Sequence, residues 1–367
     1  MSILTRNVRA FSFSLCLVFS IQAVALGQQA NVNAQLNSVD VSRLQVSGFR
    51  LTEVEAEKLE KSLAADPKIL AARISLVAYY SSRQDASFRT RKCEHALWLI
   101  RNVPDVDALH EIGYLNMTKY DSCFDEAKQL WLKHLETYGN NLVVLGNAAN
   151  FFKLSDRPQA LKLLRQSATA DPANPRWPSE MGHVFMLEMQ EARIRSGAGK
   201  DLKSAAANSY QSFEQAYKLT TGTQGKRLLF GLLATTAYES GQMEAAQLWA
   251  LEALSDAQKT RGDWSVADSL HHAHIIMGRI ALRSGDLPEA RQHLIQAGQS
   301  EGSPVLGSFG PNMMLAKELL EKGERDTVIQ YFQECASFWK HDHGQLAQWT
   351  ATVKGGGVPN FGGNLLY

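Results

Sequence analysis

Two stretches of equal length, GQMEAAQLWALEAL (241–254) and GDLPEARQHLIQAG (285–298), decide how this chain reads. In each, a turn glycine (Gly241, Gly285) is followed five residues later by a small residue (Ala246, Ala290). Ala250 and Leu294 come four positions after that, and Ala253 and Ala297 seven. Spacings of four and three line up on one face of a helix. Another small residue, Ala234 or Gly278, stands seven positions before each glycine. This is where a preceding helix would bring its backbone close to the second. The span Phe230–Gly298 therefore predicts two consecutive helix–turn–helix units, each closed by a glycine suited to a left-handed helix end.

The same logic extends outward. Ser62-Leu63-Ala64-Ala65-Asp66-Pro67 recurs as Ser167-Ala168-Thr169-Ala170-Asp171-Pro172, with the prolines 105 positions apart. That distance holds three units of a repeat close to the ~34 residues of known helical-hairpin arrays. Proline ends one helix and turns the chain into the next unit. Between them, Lys68–Ser81 with Arg91–Val103, Val106–Lys119 with Phe124–Tyr138, and Asn141–Leu154 with Arg157–Ala170 read as helix pairs. Trp177–Arg195 with Asp201–Leu219, Lys226–Ala257 and Ser265–Gln299 continue the series. Together these features resemble the tetratricopeptide repeat family. The resemblance implies an all-α, right-handed superhelical solenoid of antiparallel helix pairs, with a concave groove lined mainly by first helices.

The ends read differently. Arg6 and Arg9 precede the uncharged apolar run Ala10–Leu26, and Ala23-Val24-Ala25 offers a cleavage site, so 1–27 reads as a signal peptide. A single membrane anchor is the competing reading, but the run is short for a bilayer span. Residues 28–50, polar and rich in Asn, Gln and Ser, read as a flexible linker. Thr52 and Glu55 form a capping-box pattern that opens the repeat region, 51–300. Residues 301–354 read as capping helices and 355–367 as a Gly-rich tail. The last segment resembles a tail found on bacterial repeat proteins of unassigned role. Export to the periplasm or beyond follows as the expected localisation. Three cysteines remain beyond the leader. The spacing of stacked helices favours buried thiols at Cys93 and Cys123 over a disulfide, without deciding between them.

Charge and motifs narrow the function. Lys+Arg 38 against Asp+Glu 37 leaves a net +1, so no overall field draws nucleic acid or an anionic membrane. No sequence after the leader is apolar enough to span a bilayer. There is no nucleophile elbow and no phosphate loop, so a non-enzymatic role without catalytic residues, cofactor or metal is expected. His271 and His274, three apart on one helix, support a metal-assisted hydrolase only as the least favoured alternative. An envelope subunit holding a lipid or glycan is a further alternative. The main expectation is a scaffold that binds a protein or peptide in its groove. The candidate lining residues are Tyr79, Tyr80, Asn116, Asn147, Asn150, His183, Met186, Thr235 and His271, placed on exposed faces of first helices.

Overall fold

A computed structural model describes residues 36, 38–83, 85–112, 117, 121–195, 199–260 and 264–366. The proposed leader, the first part of the linker and Asn116 lie outside them. The described residues are helical throughout, with no strand among them, and consecutive helices pack against one another. The chain divides into two compact units, Met1–Pro172 and Ala173–Tyr367.

The first unit holds α1 (Ser38–Phe49), α2 (Glu53–Ala65), α3 (Leu70–Ser81) and α4 (Ala86–Asn102), then α5 (Phe124–Thr137), α6 (Leu142–Phe152) and α7 (Arg157–Ala170). The expected capping box is present: Thr52 Oγ1 accepts from the Glu55 amide at 3.3 Å, and Glu55 Oε2 accepts from the Thr52 amide at 2.8 Å. Helix α1 corrects the expectation of a flexible linker through residue 50. Val41 is fully buried, and a Cβ on Gly48 would stand 2.4 Å from the Ser75 carbonyl oxygen, so α1 and α3 meet backbone to backbone. The polar composition hid a short apolar stripe, Val41 and Leu44, ending on that glycine.

A second correction concerns the expected helix at Val106–Lys119. Its described part is a short 3-10 turn, Asp107–Glu111. A third follows from it: Cys93 and Cys123 form a disulfide, with Cα atoms 5.8 Å apart. Cys93 lies mid-way along α4 and Cys123 is the residue just before α5, so they do not occupy equivalent stacked positions. The cross-link closes a loop of 30 positions, for which chain entropy gives a stabilisation of roughly 3–4 kcal/mol.

The second unit holds α8 (Arg176–Ile194), α9 (Gly199–Leu219), α10 (Thr223–Ser240), α11 (Met243–Lys259), α12 (Trp264–Ser284) and α13 (Leu287–Gly298). It ends with α14 (Pro304–Phe309), α15 (Met314–Glu321), α16 (Arg325–Cys335) and α17 (Gln345–Lys354). Three of its helix pairs close on the same device. Gly241, Gly285 and Gly323 have φ of 88°, 88° and 86°. The amide after each bonds back five residues: Gln242 to Ala237, Asp286 to Ala281, and Glu324 to Leu319, at 2.9 to 3.0 Å. This is the Schellman closure that glycine makes without steric penalty. The small-residue stripes face inward as expected, with Ala246, Ala250, Ala290, Leu294 and Ala297 fully buried. A Cβ on Gly278 would come within 2.3 Å of the end of the buried Leu315 side chain, which would have to move, so the glycine lets α12 and α15 pack closely.

The C-terminal segment is wound onto the unit. Phe361 is 1% exposed against Phe332 and Trp349, with ring centroids 6.1 and 5.0 Å away. Asn364 donates from Nδ2 to the carbonyls of Phe309 and Pro311, and its own carbonyl accepts from the Met313 amide at 2.8 Å. No described helix is long and apolar enough to cross a membrane.

Candidate functional site

The eight described candidate residues are all buried, at 8% exposure or less, which corrects the expectation of exposed groove faces. First helices in these stacks are covered by neighbours on several sides, so a polar residue there serves the fold. Tyr80 donates to Glu60 Oε1 at 2.6 Å and stacks on His95, while the Tyr79 ring lies under the Arg83 guanidinium. Asn147 Nδ2 donates to the carbonyls of Pro104 and Val106, and Asn150 Nδ2 to that of His110. His183 packs edge-on to Phe213, Met186 sits in the apolar core of the second unit, and Thr235 is buried on α10.

His271 is a structural link as well. Its Nδ1 lies 2.9 Å from the Ala297 carbonyl and its Nε2 accepts from the Asn312 amide at 3.0 Å, so the ring is neutral with its proton on Nδ1. Burial, reinforced by neighbouring His272, pushes its pKa down to about 3. The His271–His274 pair, the least favoured alternative from the sequence, does not act together here: His274 turns instead to His293 on α13. Among the described residues no group of three or more His, Cys, Asp and Glu side chains is arranged to hold a metal ion.

What the structure does provide is a cleft of about 630 Å³ in the second unit. Helices α11 and α13 both pack on α12, and the cleft opens between them. Leu254, Ala257, Gln258 and Thr260 line it from the end of α11, and Val266, Ala267, Leu270 and His274 from α12. Helix α13 and the turn after it supply Glu289, Gln292, His293, Gln296, Gln299 and Glu301. Local sequence makes this arrangement. Ala290, Leu294 and Ala297 bury one face of α13, which leaves Glu289, Gln292, His293, Gln296 and Gln299 on the other at spacings of three, one, three and three.

Within the cleft, His274 Nδ1 and His293 Nδ1 lie 3.0 Å apart, a distance that requires one shared proton. Glu289 Oε1 stands 3.8 Å from His293 Nε2. Burial, and the neighbouring His293, push the His274 pKa down to about 4. Burial also lowers that of His293, against the opposing pull of Glu289 and Gln296. Both imidazoles are thus neutral near pH 7. The site combines apolar walls with neutral amide and imidazole groups and two carboxylates, which suits binding by contact and hydrogen bonding. His274 was a candidate from its spacing, whereas His293 and Glu289 were missed. The signal for them was the polar stripe of α13, read only for its buried face.

Comparison with protein-family models finds no match to this chain, and comparison with curated proteins finds none either.

Proposed function

We propose that this chain is an exported, tetratricopeptide-like scaffold that binds a peptide segment of a partner, with the α11–α13 cleft as its point of contact. The observation that carries this reading is the cleft itself: it has the size and the mixed lining of a small recognition site. Its glutamines offer paired donors and acceptors that match an extended backbone, while Leu254, Val266 and Leu270 give apolar contact for side chains. Leu251, 48% exposed and one turn before Leu254 on α11, extends the apolar strip beyond the cleft. The tetratricopeptide-like superhelix is supported by the glycine closure repeated in three successive pairs and by the inward stripes of small residues. Export is supported by the Cys93–Cys123 disulfide, a bond that persists in oxidising compartments, and by the leader-like composition of 1–27.

The test is selection of unstructured peptides from a displayed library on the oxidised chain, with binding then measured in solution. Gln292 stands exposed at the cleft rim, so Gln292→Trp fills the opening without touching the core. Enrichment of peptides whose affinity drops about tenfold or more in that variant, a loss of ~1.4 kcal/mol, is the expected result. Failure to enrich any peptide, or equal binding to the variant, would defeat the reading.

A further inference from the structure

We propose that Asn364 and Leu365 are a displaceable occupant of a peptide seat built by Arg193 and the Phe309–Met313 turn. When they leave, the seat takes an extended, asparagine-bearing segment of a partner. It shares no lining residue with the α11–α13 cleft, so the inference stands independently of that site.

The first support is that these two residues are held as a bound peptide is held. Asn364 Nδ2 donates to the Phe309 and Pro311 carbonyls at 3.1 and 2.8 Å, and the Asn364 carbonyl accepts from the Met313 amide at 2.8 Å. The next carbonyl, that of Leu365, accepts from Arg193 Nη1 at 3.3 Å, across 172 positions of chain. Two carbonyls of the seat thus read one side chain, while two of its donors read successive carbonyls of the main chain. Main-chain bonds give affinity in such a contact, and the side-chain bonds give selectivity.

The second support is that other groups hold the seat in place. The Asn312 amide donates to His271 Nε2 at 3.0 Å, and the Asn312 carbonyl accepts from the buried Tyr331 hydroxyl at 2.8 Å. Gly310, at a φ of 85°, lies against Trp339, which a Cβ there would approach to 2.5 Å. On the opposite wall, Arg193 Nη2 pairs with Glu239 at 2.9 Å, and Glu239 pairs in turn with Arg279. Both walls therefore keep their positions without Asn364, and preorganisation of this kind favours binding. Arg193 also has donors in reserve. Its Nη1 is shared with the Met314 thioether at 2.9 Å, and its buried Nε has no acceptor among the described residues.

The third support is how the occupant is attached. Phe361 is fixed in the core, whereas Gly362 is exposed and a Cβ there would meet nothing within 4 Å. Gly362-Gly363 is therefore a pivot about which Asn364 and Leu365 swing out while Phe361 stays. So short a tether keeps the occupant at an effective concentration on the order of millimolar, and the intact chain masks its own seat from a dilute competitor.

The experiment is fluorescence anisotropy with a labelled peptide of residues 362–367, GGNLLY, titrated with the full oxidised chain and with Asn364→Asp. Aspartate keeps the shape of the side chain, but its carboxylate cannot donate to the two carbonyls and is repelled by them, so the seat empties. The expected result is binding to the variant about tenfold or more tighter than to the unmodified chain. The same peptide with aspartate in place of its asparagine should show no such gain. If the aspartate variant loses its helical circular-dichroism signal, Asn364→Ala makes the same measurement without adding a charge. No gain in peptide binding by a folded variant, or an equal gain for the aspartate peptide, would overturn the proposal and leave Asn364 and Leu365 a fixed part of the unit.

Discussion

At the scale of single residues, Asn147 carries the clearest consequence. Its amide holds the carbonyls of Pro104 and Val106, which belong to backbone with no regular helical pairing around the short turn at Asp107–Glu111. Asn147→Ala leaves the Pro104 carbonyl without its donor in a buried setting, while the Val106 carbonyl keeps its bond from the Leu109 amide, and one such loss costs about 1–3 kcal/mol. Urea unfolding should show a destabilisation in that range. Gln166→Ala, which deletes an exposed bond to the Gly139 carbonyl, should stay within about 0.5 kcal/mol. Equal, small effects would mean that Asn147 does not organise this segment. The sequence marked Asn147 and Asn150 as polar residues on a first helix, which is also the signature of a groove-lining amide. Their real partners could not be seen there, because Val106–Lys119 reads as a helix that would satisfy its own carbonyls. Tyr80 and His271 misled in the same way: a polar group on a buried face looks exposed until its partner from another helix is known. The Glu289–His293 spacing, by contrast, is legible as an i, i+4 pair on the polar face of α13, opposite its alanines.

At the scale of elements, what could be read is what local chemistry alone decides. Gly241, Gly285 and Gly323 each need a left-handed conformation, and Thr52 with Glu55 needs only four consecutive residues. What could not be read depends on distant contacts. Helix α1 is too polar to announce itself, and it is fixed by its approach to α3 at Gly48. The Gly-rich tail looks like a free peptide, yet Phe361 and Asn364 anchor it. This makes the tail part of the second unit's core, with a measurable cost for removing its anchor. Phe361→Ala deletes an aromatic ring enclosed by Phe332 and Trp349, and such cavities cost about 3–5 kcal/mol. Thermal unfolding should therefore show a large loss for Phe361→Ala and a small one for Val358→Ala, since Val358 is 48% exposed in the same segment. Similar small losses from both would place the tail outside the core.

At the scale of the molecule, the histidines of the second unit make its stability depend on pH, and the sign can be worked out. Burial lowers His271 to about 3 and His272 and His274 to about 4, each from an ordinary value of 6.5. Below pH 6.5 the unfolded chain therefore binds protons that the folded chain refuses, so falling pH favours unfolding. Each group contributes up to about 1.4 kcal/mol per pH unit within its window. Asp268 acts in the opposite sense. Burial raises it to about 6 despite a hydrogen bond from Ser303, so its contribution is present at low pH and disappears as pH rises towards 6. Glu239 adds to the histidine trend at the acid end. Burial tends to raise it, but Arg279 and Arg193 outweigh burial and hold it below the ordinary range, and that stability is lost on acidification. Three histidines against one aspartate leave a net loss as pH falls from 7 to 5. Melting of the second unit should accordingly shift downward across that interval. The shift should be smaller in His274→Gln, which removes one titrating ring yet retains a group able to bond His293. A melting temperature that is flat or rises from pH 7 to 5 would mean that these imidazoles are solvated in the folded chain. The neutral His274–His293 pair would then be lost with them.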